Sequence, residues 1–292
     1  MTTRRDFLRL SAAMLAATAV PDSLLANTHA PEKKIGLQLY SVRDDIKNDF
    51  DGTMKALVKI GYKRFEAAGY RNGLFYGKTP SDIKKYMGDL GAMLTGSHTG
   101  TGLLRTADDK GWDFWKKCMP DTVEAGCKWV VQAGYPECKT IDEVKMLADM
   151  FNKVGEMAKA SGLKFAFHNH VTEFKPISGE IPYDVLLQRT DPTLVTFQMD
   201  TCQVFLGGGS CTDYIKKYPG RFSNWHVKDP HPTKDESTEL GTGRLDFAPI
   251  FALANRAGLE DYYVEQESYS MSPLEAVKHD YNYLNKASFV KW

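Results

Sequence analysis

One pattern recurs along this chain and constrains its fold more than any other feature. A short apolar segment rich in β-branched or aromatic residues is followed by a helix-patterned segment, and the unit repeats about every 30 residues. Several helical segments end at a glycine directly before the next apolar segment, at Gly61, Gly91, Gly126, Gly162 and Gly258. Glycine accepts the left-handed conformation that ends helices at the lowest cost. The pattern therefore predicts helices that alternate with buried parallel strands.

Eight of these apolar segments are predicted to be strands, namely 35–40, 64–67, 93–97, 129–132, 164–168, 195–200, 224–227 and 262–265. The clearest helices between them are predicted at 54–60, 83–90, 144–160 and 250–257. Eight βα units in about 260 residues predict a single closed (β/α)8 TIM barrel, which we assign to residues 31–292. An open doubly wound sheet is the alternative, but no GxGxxG motif follows any predicted strand.

The first 30 residues are predicted to be a signal peptide and not part of the barrel. Arg4 and Arg5 precede a mildly apolar stretch, 10–20, that leads into alanine-rich residues. A charged start, a short apolar middle and a small-residue exit are typical of secretion signals, and the arginine pair resembles a twin-arginine signal. An amphipathic first helix is the alternative, but the stretch 11–19 has no polar face. We therefore predict a periplasmic protein.

Charge and hydropathy exclude two broad classes of function. Lys plus Arg and Asp plus Glu both total 37, so the formal net charge is +0. A nucleic-acid binder needs an excess of Lys and Arg to neutralise phosphates. No apolar run reaches the roughly 18 to 20 residues of a membrane span. We therefore predict neither a nucleic-acid partner nor membrane insertion.

Polar or ionisable side chains lie at, or just after, the end of each predicted strand. In a (β/α)8 barrel the C-terminal strand ends form the mouth that carries the active site. In chain order these side chains are Gln38 and Tyr40, Glu66, His98, Gln132, then His168, His170 and Glu173, Asp200, His226 and Lys228, and Glu265 and Glu267. Buried carboxylates and imidazoles gathered this closely need a counter-charge, and a divalent cation supplies one.

The segment around His168 is the strongest of these signals. His168 and His170 are two residues apart, so on a strand they share a face, and Glu173 follows within reach of the same point. A histidine with three carboxylates makes a mixed nitrogen and oxygen site. Mn²⁺, Mg²⁺, Co²⁺ or Zn²⁺ would all fit such a site, because geometry rather than residue type decides among them.

The order of the motifs along the chain resembles that of the xylose-isomerase-like sugar isomerase/epimerase superfamily. The matching segments are GLQLYSVR (36–43), HNH (168–170) with EF (173–174), MDT (199–201), HVKD (226–229), GTGRLDF (241–247) and VEQE (264–267). The resemblance covers roughly residues 35–290 and implies a (β/α)8 barrel that holds one divalent metal. It implies Asp200, His226 and Glu265 as ligands. Many relatives carry a glutamate where this chain has His168, so we assign Glu173 as the first ligand, with His168 or His170 as alternatives.

This site predicts proton abstraction next to a carbonyl. A metal that chelates a carbonyl oxygen and the neighbouring hydroxyl stabilises the enediolate formed when the carbon between them loses its proton. The expected catalytic residues are Glu173, Glu265, His170 and Lys228, although Lys228 could instead pair with Asp229 or Glu265. The expected substrate contacts are Gln38, Tyr40, Glu66, His98, Gln132, His168 and Glu267, for several of which a structural hydrogen bond or a place in the barrel core is the alternative.

We therefore predict a metal-dependent isomerase or epimerase of an unphosphorylated sugar, ketosugar or inositol-like substrate. The sequence has no basic cluster and no P-loop that would bind a phosphosugar. The first alternative is a metal-dependent lyase or hydratase acting on 3-keto-glycosides or inososes. A non-catalytic carbohydrate-binding barrel and a metal-dependent nuclease are the others, and the neutral charge argues against the nuclease. Members of the superfamily often pair, so a homodimer is compatible with the sequence.

Overall fold

Eight parallel strands form a closed barrel in the computed structural model, which describes residues 33–99 and 109–291. The predicted signal peptide lies outside the described residues. The strands are β1 (Gly36–Gln38), β2 (Arg64–Ala67), β3 (Met93–Thr99), β4 (Trp129–Gln132), β5 (Lys164–His168), β6 (Val195–Asp200), β7 (Asn224–Val227) and β8 (Asp261–Val264). Each strand pairs with the next in sequence, and β8 closes the barrel on β1. The predicted (β/α)8 barrel is confirmed.

Helices connect the strands. They are Arg43–Asn48, Phe50–Ile60, Pro80–Asp89, Asp109–Glu124, Ile141–Ala160, Pro182–Arg189, Thr201–Leu206, Cys211–Lys217, Phe247–Ala252, Ala254–Ala257 and Pro273–Lys286. The five glycines predicted to end helices all have positive φ, from 68° at Gly91 to 130° at Gly61. The prediction of one helix over 250–257 is wrong, because the backbone of Leu253 (φ −97°, ψ 6°) leaves the helical region and divides it in two. No described helix is long and apolar enough to cross a membrane.

The helix Ile141–Ala160 illustrates how the sequence builds the outer layer. Thr140 caps its first turn, and Glu143 reaches back to complete a capping box. Its apolar face is buried on the barrel, where the Phe151 ring lies 5.7 Å from the ring of Phe165 and 4.9 Å from that of Phe167. Burying one such side chain contributes about 1.5–3 kcal/mol. The helix therefore holds the outer side of β5, whose last residue is His168.

The N-terminal end of the barrel carries a saturated ion-pair cluster, which we call the basal cluster: Arg64, Lys128, Trp129 and Asp261. The Asp261 carboxylate lies 2.7 Å from Lys128 Nζ and accepts a 2.8 Å hydrogen bond from Trp129 Nε1. It also forms an ion pair with Arg64. These residues stand at the beginnings of β2, β4 and β8. The basal cluster therefore ties together three strands at the end opposite the mouth.

The C-terminal end is built differently, from short irregular elements. These are the 3-10 helices Leu39–Val42 and Val171–Phe174, the ribbon of Tyr70–Arg71 with Leu74–Phe75, and the ribbon of Asp229–Pro230 with Ser237–Thr238. The Asp229 carboxylate accepts hydrogen bonds from the backbone N–H groups of Gly241, Gly243 and Leu245. Asp280 accepts one from the backbone N–H of Leu240 at 2.7 Å. Two buried carboxylates thus hold the loop 239–246 beside the mouth.

Candidate active site

Four side chains converge at the C-terminal ends of β5 to β8. They form what we call the ligand group: His168, Asp200, His226 and Glu265. Each offers one donor atom, and these atoms all lie within 4.8 Å of one another. All four residues are buried. Three of the four are the predicted ligands Asp200, His226 and Glu265.

Strand register explains why these residues meet. Asp200 pairs directly with His226 across β6 and β7, and His168 pairs with Gln198 across β5 and β6. Gln198 and Asp200 are two residues apart on one strand, so both side chains face the barrel interior. Glu265 follows β8 directly. The alternation of a strand therefore brings donors from distant parts of the chain to one point.

His226 lies between two carboxylates. Its Nε2 is 2.6 Å from Glu66 Oε2, and its Nδ1 is 2.9 Å from Glu265 Oε2. Burial alone would lower the pKa of His226, but the carboxylates of Glu265 and Glu66 outweigh that effect and raise it to about 10. A cation bound at Nδ1 would displace the proton from that nitrogen. The same imidazole and His98 overcome the desolvation of Glu66 and lower its pKa to about 2. Glu66 therefore holds Nε2–H of His226, and Nδ1 faces the ligand group.

A buried amide sets the hydrogen positions on the other histidines. Gln198 Nε2 donates to Glu66 Oε1 at 2.7 Å and to Asn224 Oδ1 at 3.1 Å. Its Oε1 can then only accept, from His98 Nε2 at 2.7 Å and His168 Nδ1 at 3.1 Å. Burial and the neighbouring His226 lower the pKa of His168 well below its ordinary value, so the ring is neutral. Its Nε2 consequently carries a lone pair, which is the form that binds metal.

Space for Glu66 is provided by the third strand. The register between β2 and β3 shifts between Phe65 and Glu66, so that Glu66 pairs with Gly96. A Cβ atom at Gly96 would lie 2.9 Å from Glu66 Oε1 and 3.2 Å from the hydroxyl oxygen of Tyr263. A glycine at this position therefore lets the carboxylate lie under the histidines.

Lys228 supplies positive charge at the edge of the ligand group. Its Nζ lies 3.2 Å from Glu265 Oε2 and 3.4 Å from Asp200 Oδ2, and it also contacts Glu267. Although burial alone would lower the pKa of Lys228, these three carboxylates raise it well above its ordinary value. The pair with Asp229 that the sequence allowed does not form, since Asp229 accepts backbone hydrogen bonds instead.

Asp200 has one oxygen that nothing in the described chain satisfies with a hydrogen bond. Its Oδ1 accepts from the backbone N–H of Gln203 at 2.9 Å, whereas its buried Oδ2 accepts none. Burial raises the pKa of Asp200 to about 6, despite the opposing charge of Lys228. An unsatisfied buried carboxylate oxygen beside two imidazoles and a second carboxylate fits a divalent cation.

Glu173, predicted as the first ligand, is not a member of the ligand group, and the alternative His168 is. The chain turns after His168 into the 3-10 helix Val171–Phe174, and Glu173 Oε1 accepts a 2.8 Å hydrogen bond from the backbone N–H of His170. The buried carboxyl lies near Tyr135 and Tyr183, whose pKa values it helps to raise. Burial raises the pKa of Glu173 itself to about 8. The local turn therefore ties Glu173 to the backbone.

The remaining predicted residues divide between a cavity wall and the layer beneath it. A cavity of about 290 Å³, which we call the proximal cavity, is lined by Tyr40, Ala68, His98, Ala133, His168, His170, Lys228, Glu265 and Glu267. Gln38, Glu66 and Gln132, predicted as substrate contacts, are not among these lining residues. Gln38 donates to Glu66 at 2.7 Å, and Gln132 donates to the carbonyl of Gly134 at 2.8 Å. Their hydrogen bonds are structural.

Two positioning residues were missed by the sequence analysis. Gln198 and Asn224 were not singled out, although Gln198 contacts two histidines and Glu66. The signal was present, because Gln198 lies two residues before Asp200 and shares its face of the strand.

Comparison with known proteins adds three findings. The family described as xylose isomerase-like TIM barrel matches residues 54–287. An inosose dehydratase of Clostridium perfringens is 30% identical over 154 residues, which are 46% of this chain and 51% of that protein. The chain spans about half the length of the curated relatives it matches.

Two solved structures share the fold. A sugar phosphate isomerase/epimerase from Parabacteroides distasonis superimposes with a TM-score of 0.80 at 30% identity, covering 89% of this chain and 100% of that one. The IolI protein with a bound zinc atom superimposes with a TM-score of 0.68 at 16% identity, covering 88% of this chain and 98% of that one. At 16% identity the similarity to IolI shows the fold alone.

Proposed function

The chain belongs to the xylose isomerase-like TIM barrel family, and from that premise we propose that it is a divalent-metal-dependent isomerase or epimerase. The substrate is an unphosphorylated sugar, ketosugar or inositol-like polyol, which loses a proton from the carbon next to a carbonyl. The ligand group carries the proposal, because its four buried donor atoms lie within 4.8 Å of one another. Mn²⁺, Co²⁺ and Zn²⁺ suit two imidazoles and two carboxylates, whereas Mg²⁺ prefers oxygen ligands and suits only the two carboxylates.

The residues of the ligand group are arranged to hold a cation. Glu66 orients the ring of His226, and Gln198 orients the ring of His168, as outer partners do in metal sites. When bound, the cation supplies a Lewis acid that polarises the substrate carbonyl.

His170 is the residue best suited to take the proton. Its ring lines the proximal cavity, and burial lowers its pKa, so at neutral pH it is an uncharged base. Glu265 is less suitable, since Lys228 and His226 hold its pKa well below the ordinary value despite its burial. Glu173 is outside the cavity lining. We assign the proton transfer to a ring nitrogen of His170.

Lys228 has the complementary role. Its ammonium group lines the proximal cavity, where it can donate a hydrogen bond to a substrate oxygen that gains negative charge. Three neighbouring carboxylates already balance its charge. A phosphate group would therefore find no unbalanced cation among the described residues that line this cavity, which favours unphosphorylated substrates.

A lyase is the second candidate function. The similarity to inosose dehydratases, at 30% identity over part of the chain, favours it. Removal of the same proton would then be followed by loss of a leaving group from the next carbon instead of reprotonation. The two outcomes share the ligand group and His170.

Deuterium incorporation tests the proposal. A panel of ketosugars, inososes and 3-keto-glycosides is incubated in D₂O with the metal-loaded protein and followed by NMR. We expect deuterium at the carbon next to the carbonyl in an epimer or isomer, or an unsaturated product if the enzyme is a lyase. His170→Gln should slow the exchange, whereas Glu156→Gln, on the exposed face of an outer helix, should not. Full exchange by metal-free protein would contradict the mechanism.

The same preparation distinguishes a non-catalytic sugar-binding barrel. Such a protein would bind sugars with an affinity unaffected by chelation and would exchange no proton. Binding measured before and after treatment with a chelator separates the two functions.

Export and pairing are proposals of their own. We propose that the twin-arginine segment directs the protein to the periplasm, and replacing Arg4 and Arg5 by lysine should abolish export in a fractionation experiment. Continued export of that variant would contradict the twin-arginine assignment. A homodimer, with which the sequence is compatible, is tested by light scattering: twice the mass of one chain would support pairing, and the mass of one chain would contradict it.

A further inference from the structure

A second cavity adjoins the proximal cavity on the far side of Lys228 and Glu267. This distal cavity has a volume of about 310 Å³ and is lined by Val171, Cys202, Gln203, Leu206, Lys228, Asp235, Glu236, Ser237, Glu267 and Ser268. Lys228 and Glu267 line both cavities. His170 lines the proximal cavity and its neighbour Val171 lines the distal one. The two cavities therefore lie on either side of the Lys228–Glu267 ion pair and of the turn after β5.

The size of each cavity matters. At about 290 and 310 Å³, each lies near the lower limit of roughly 300 Å³ for small-molecule sites, and the pair lies well within the usual range. Each cavity is large enough for one sugar ring, and the two volumes together are large enough for two linked rings.

The distal lining indicates the chemistry of its occupant. In the part of the chain that the structure describes, its charged residues are three acids, Asp235, Glu236 and Glu267, and one base, Lys228, which is already paired with Glu267. Val171, Cys202 and Leu206 supply an apolar side, and Gln203 supplies an amide. Carboxylates accept hydrogen bonds from hydroxyl groups, whereas they repel phosphates and uronates. The lining therefore suits a neutral polyhydroxy unit with one apolar face.

The wall between the cavities is held in place by backbone hydrogen bonds. The hydroxyl oxygen of Ser237 accepts from the backbone N–H groups of Glu267 at 2.9 Å and Ser268 at 3.1 Å. Ser237 is itself buried in the ribbon that follows β7. The loop after β8 and this ribbon are thereby joined, which fixes Glu267 beside Lys228.

We propose that the distal cavity is a second sugar subsite, so that the substrate is a neutral glycoside of two units. The reacting unit occupies the proximal cavity, the second unit occupies the distal cavity, and the link between them lies at Lys228 Nζ. The inference rests on the proposed function, because it takes the ligand group as the reaction centre.

Binding of one-unit and two-unit probes tests the second subsite. The probes are glucose, myo-inositol, cellobiose, trehalose and glucose 6-phosphate, titrated by NMR against the full metal-loaded chain. We expect at least one disaccharide to bind about tenfold or more tightly than glucose. Leu206→Trp fills the distal cavity from a half-buried position and should remove that difference. Met146→Trp adds the same ring at a side chain that is 59% exposed on an outer helix, and should keep it.

A milder variant protects the test against misfolding. Gln203→Leu removes only the side-chain amide that lines the distal cavity. The affinity of this variant for the disaccharide should fall, whereas its affinity for glucose should stay the same. The second subsite would be overturned if the parent bound one-unit and two-unit probes equally, or if Leu206→Trp weakened the binding of both equally. It would also be overturned if glucose 6-phosphate bound more tightly than the neutral probes, or if no probe bound. Failure of the proposed function is a separate result, since it is detected by deuterium exchange and metal content.

Discussion

The two ends of the barrel each bury an acid among charged neighbours, but they satisfy it differently. At the base, Asp261 is contacted by Arg64, Lys128 and Trp129, so both oxygens of its carboxylate accept hydrogen bonds or form ion pairs. At the mouth, Asp200 Oδ2 lies buried with the Lys228 ammonium 3.4 Å away, but it accepts no hydrogen bond from any described residue. An acid that is saturated by its own chain holds strands together, whereas one left unsatisfied is available to a ligand. Four substitutions test this difference.

The largest effect is expected at the mouth, from Asp200→Asn. The amide keeps the hydrogen bond to the backbone N–H of Gln203 but removes one anionic ligand, so bound metal should be lost. Activity should fall by about a thousandfold or more, as expected when a Lewis acid worth several kcal/mol is removed. Metal analysis and the deuterium assay measure both effects. If the variant retained one tightly bound ion per chain, Asp200 would not be a metal ligand, and the difference drawn between the two ends would be wrong.

Glu66→Gln should have the next largest effect. Glu66 lines neither the proximal nor the distal cavity, yet it accepts from His226 Nε2, and losing such an outer partner typically lowers metal affinity by about 10- to 100-fold. Competition with a chromogenic chelator measures the affinity. Glu156→Gln is the matched control. Unchanged affinity of the Glu66 variant would show that its role is packing alone.

At the base, Asp261→Asn should reduce stability and leave the chemistry unaltered. Removing the charge leaves Arg64 and Lys128 facing an amide, and we expect a loss of about 2 kcal/mol, because both partners are partly exposed. Urea unfolding of the metal-free protein measures this loss. Asp200→Asn in the same experiment should cost less. If Asp200→Asn lost more stability than Asp261→Asn, the structural role would belong to the mouth and not to the base.

Asp280 provides an intermediate case, and its expected effect is on stability alone, by about 1.4 kcal/mol for each unit by which its pKa is raised. Burial raises its pKa well above the ordinary value, aided by Glu239 and Asp229. The folded chain therefore keeps a proton that the unfolded chain releases above about pH 4. As a result, the contribution of Asp280 to the free energy of unfolding falls as the pH rises from about 4 towards the raised pKa of the folded state. Asp280→Asn can still accept from Leu240 N–H. We expect the variant to gain stability relative to the parent between pH 4 and pH 8.

Unfolding midpoints at several pH values give the difference between the two proteins. A constant difference from pH 4 to pH 8 would mean that Asp280 titrates normally in the folded state.

The barrel could be predicted from sequence because each βα unit is a local pattern. Five of the eight strands have the predicted bounds, and the differences at the others are local. β1 is shorter because the chain enters a 3-10 helix at Leu39, while β3 extends to Thr99 and β8 begins at Asp261.

The site was only partly predictable for a related reason. Asp200, His226 and Glu265 were found because they stand at strand ends, which sequence periodicity locates. The contacts of Gln198 and the position of Glu66 depend on which inward side chains of distant strands meet. The one-turn helix Val171–Phe174 ties Glu173 to the backbone and so keeps it out of the ligand group. Those features require register and local turns that the pattern does not encode.

A substitution at Gly96 would act on the reaction centre without contacting the substrate or the metal. A single methyl group there would press on Glu66 Oε1 from 2.9 Å, and Glu66 would pass the displacement to the ring of His226. Activity could thus be tuned in small increments from the third strand, with every ligand and every cavity wall left chemically intact.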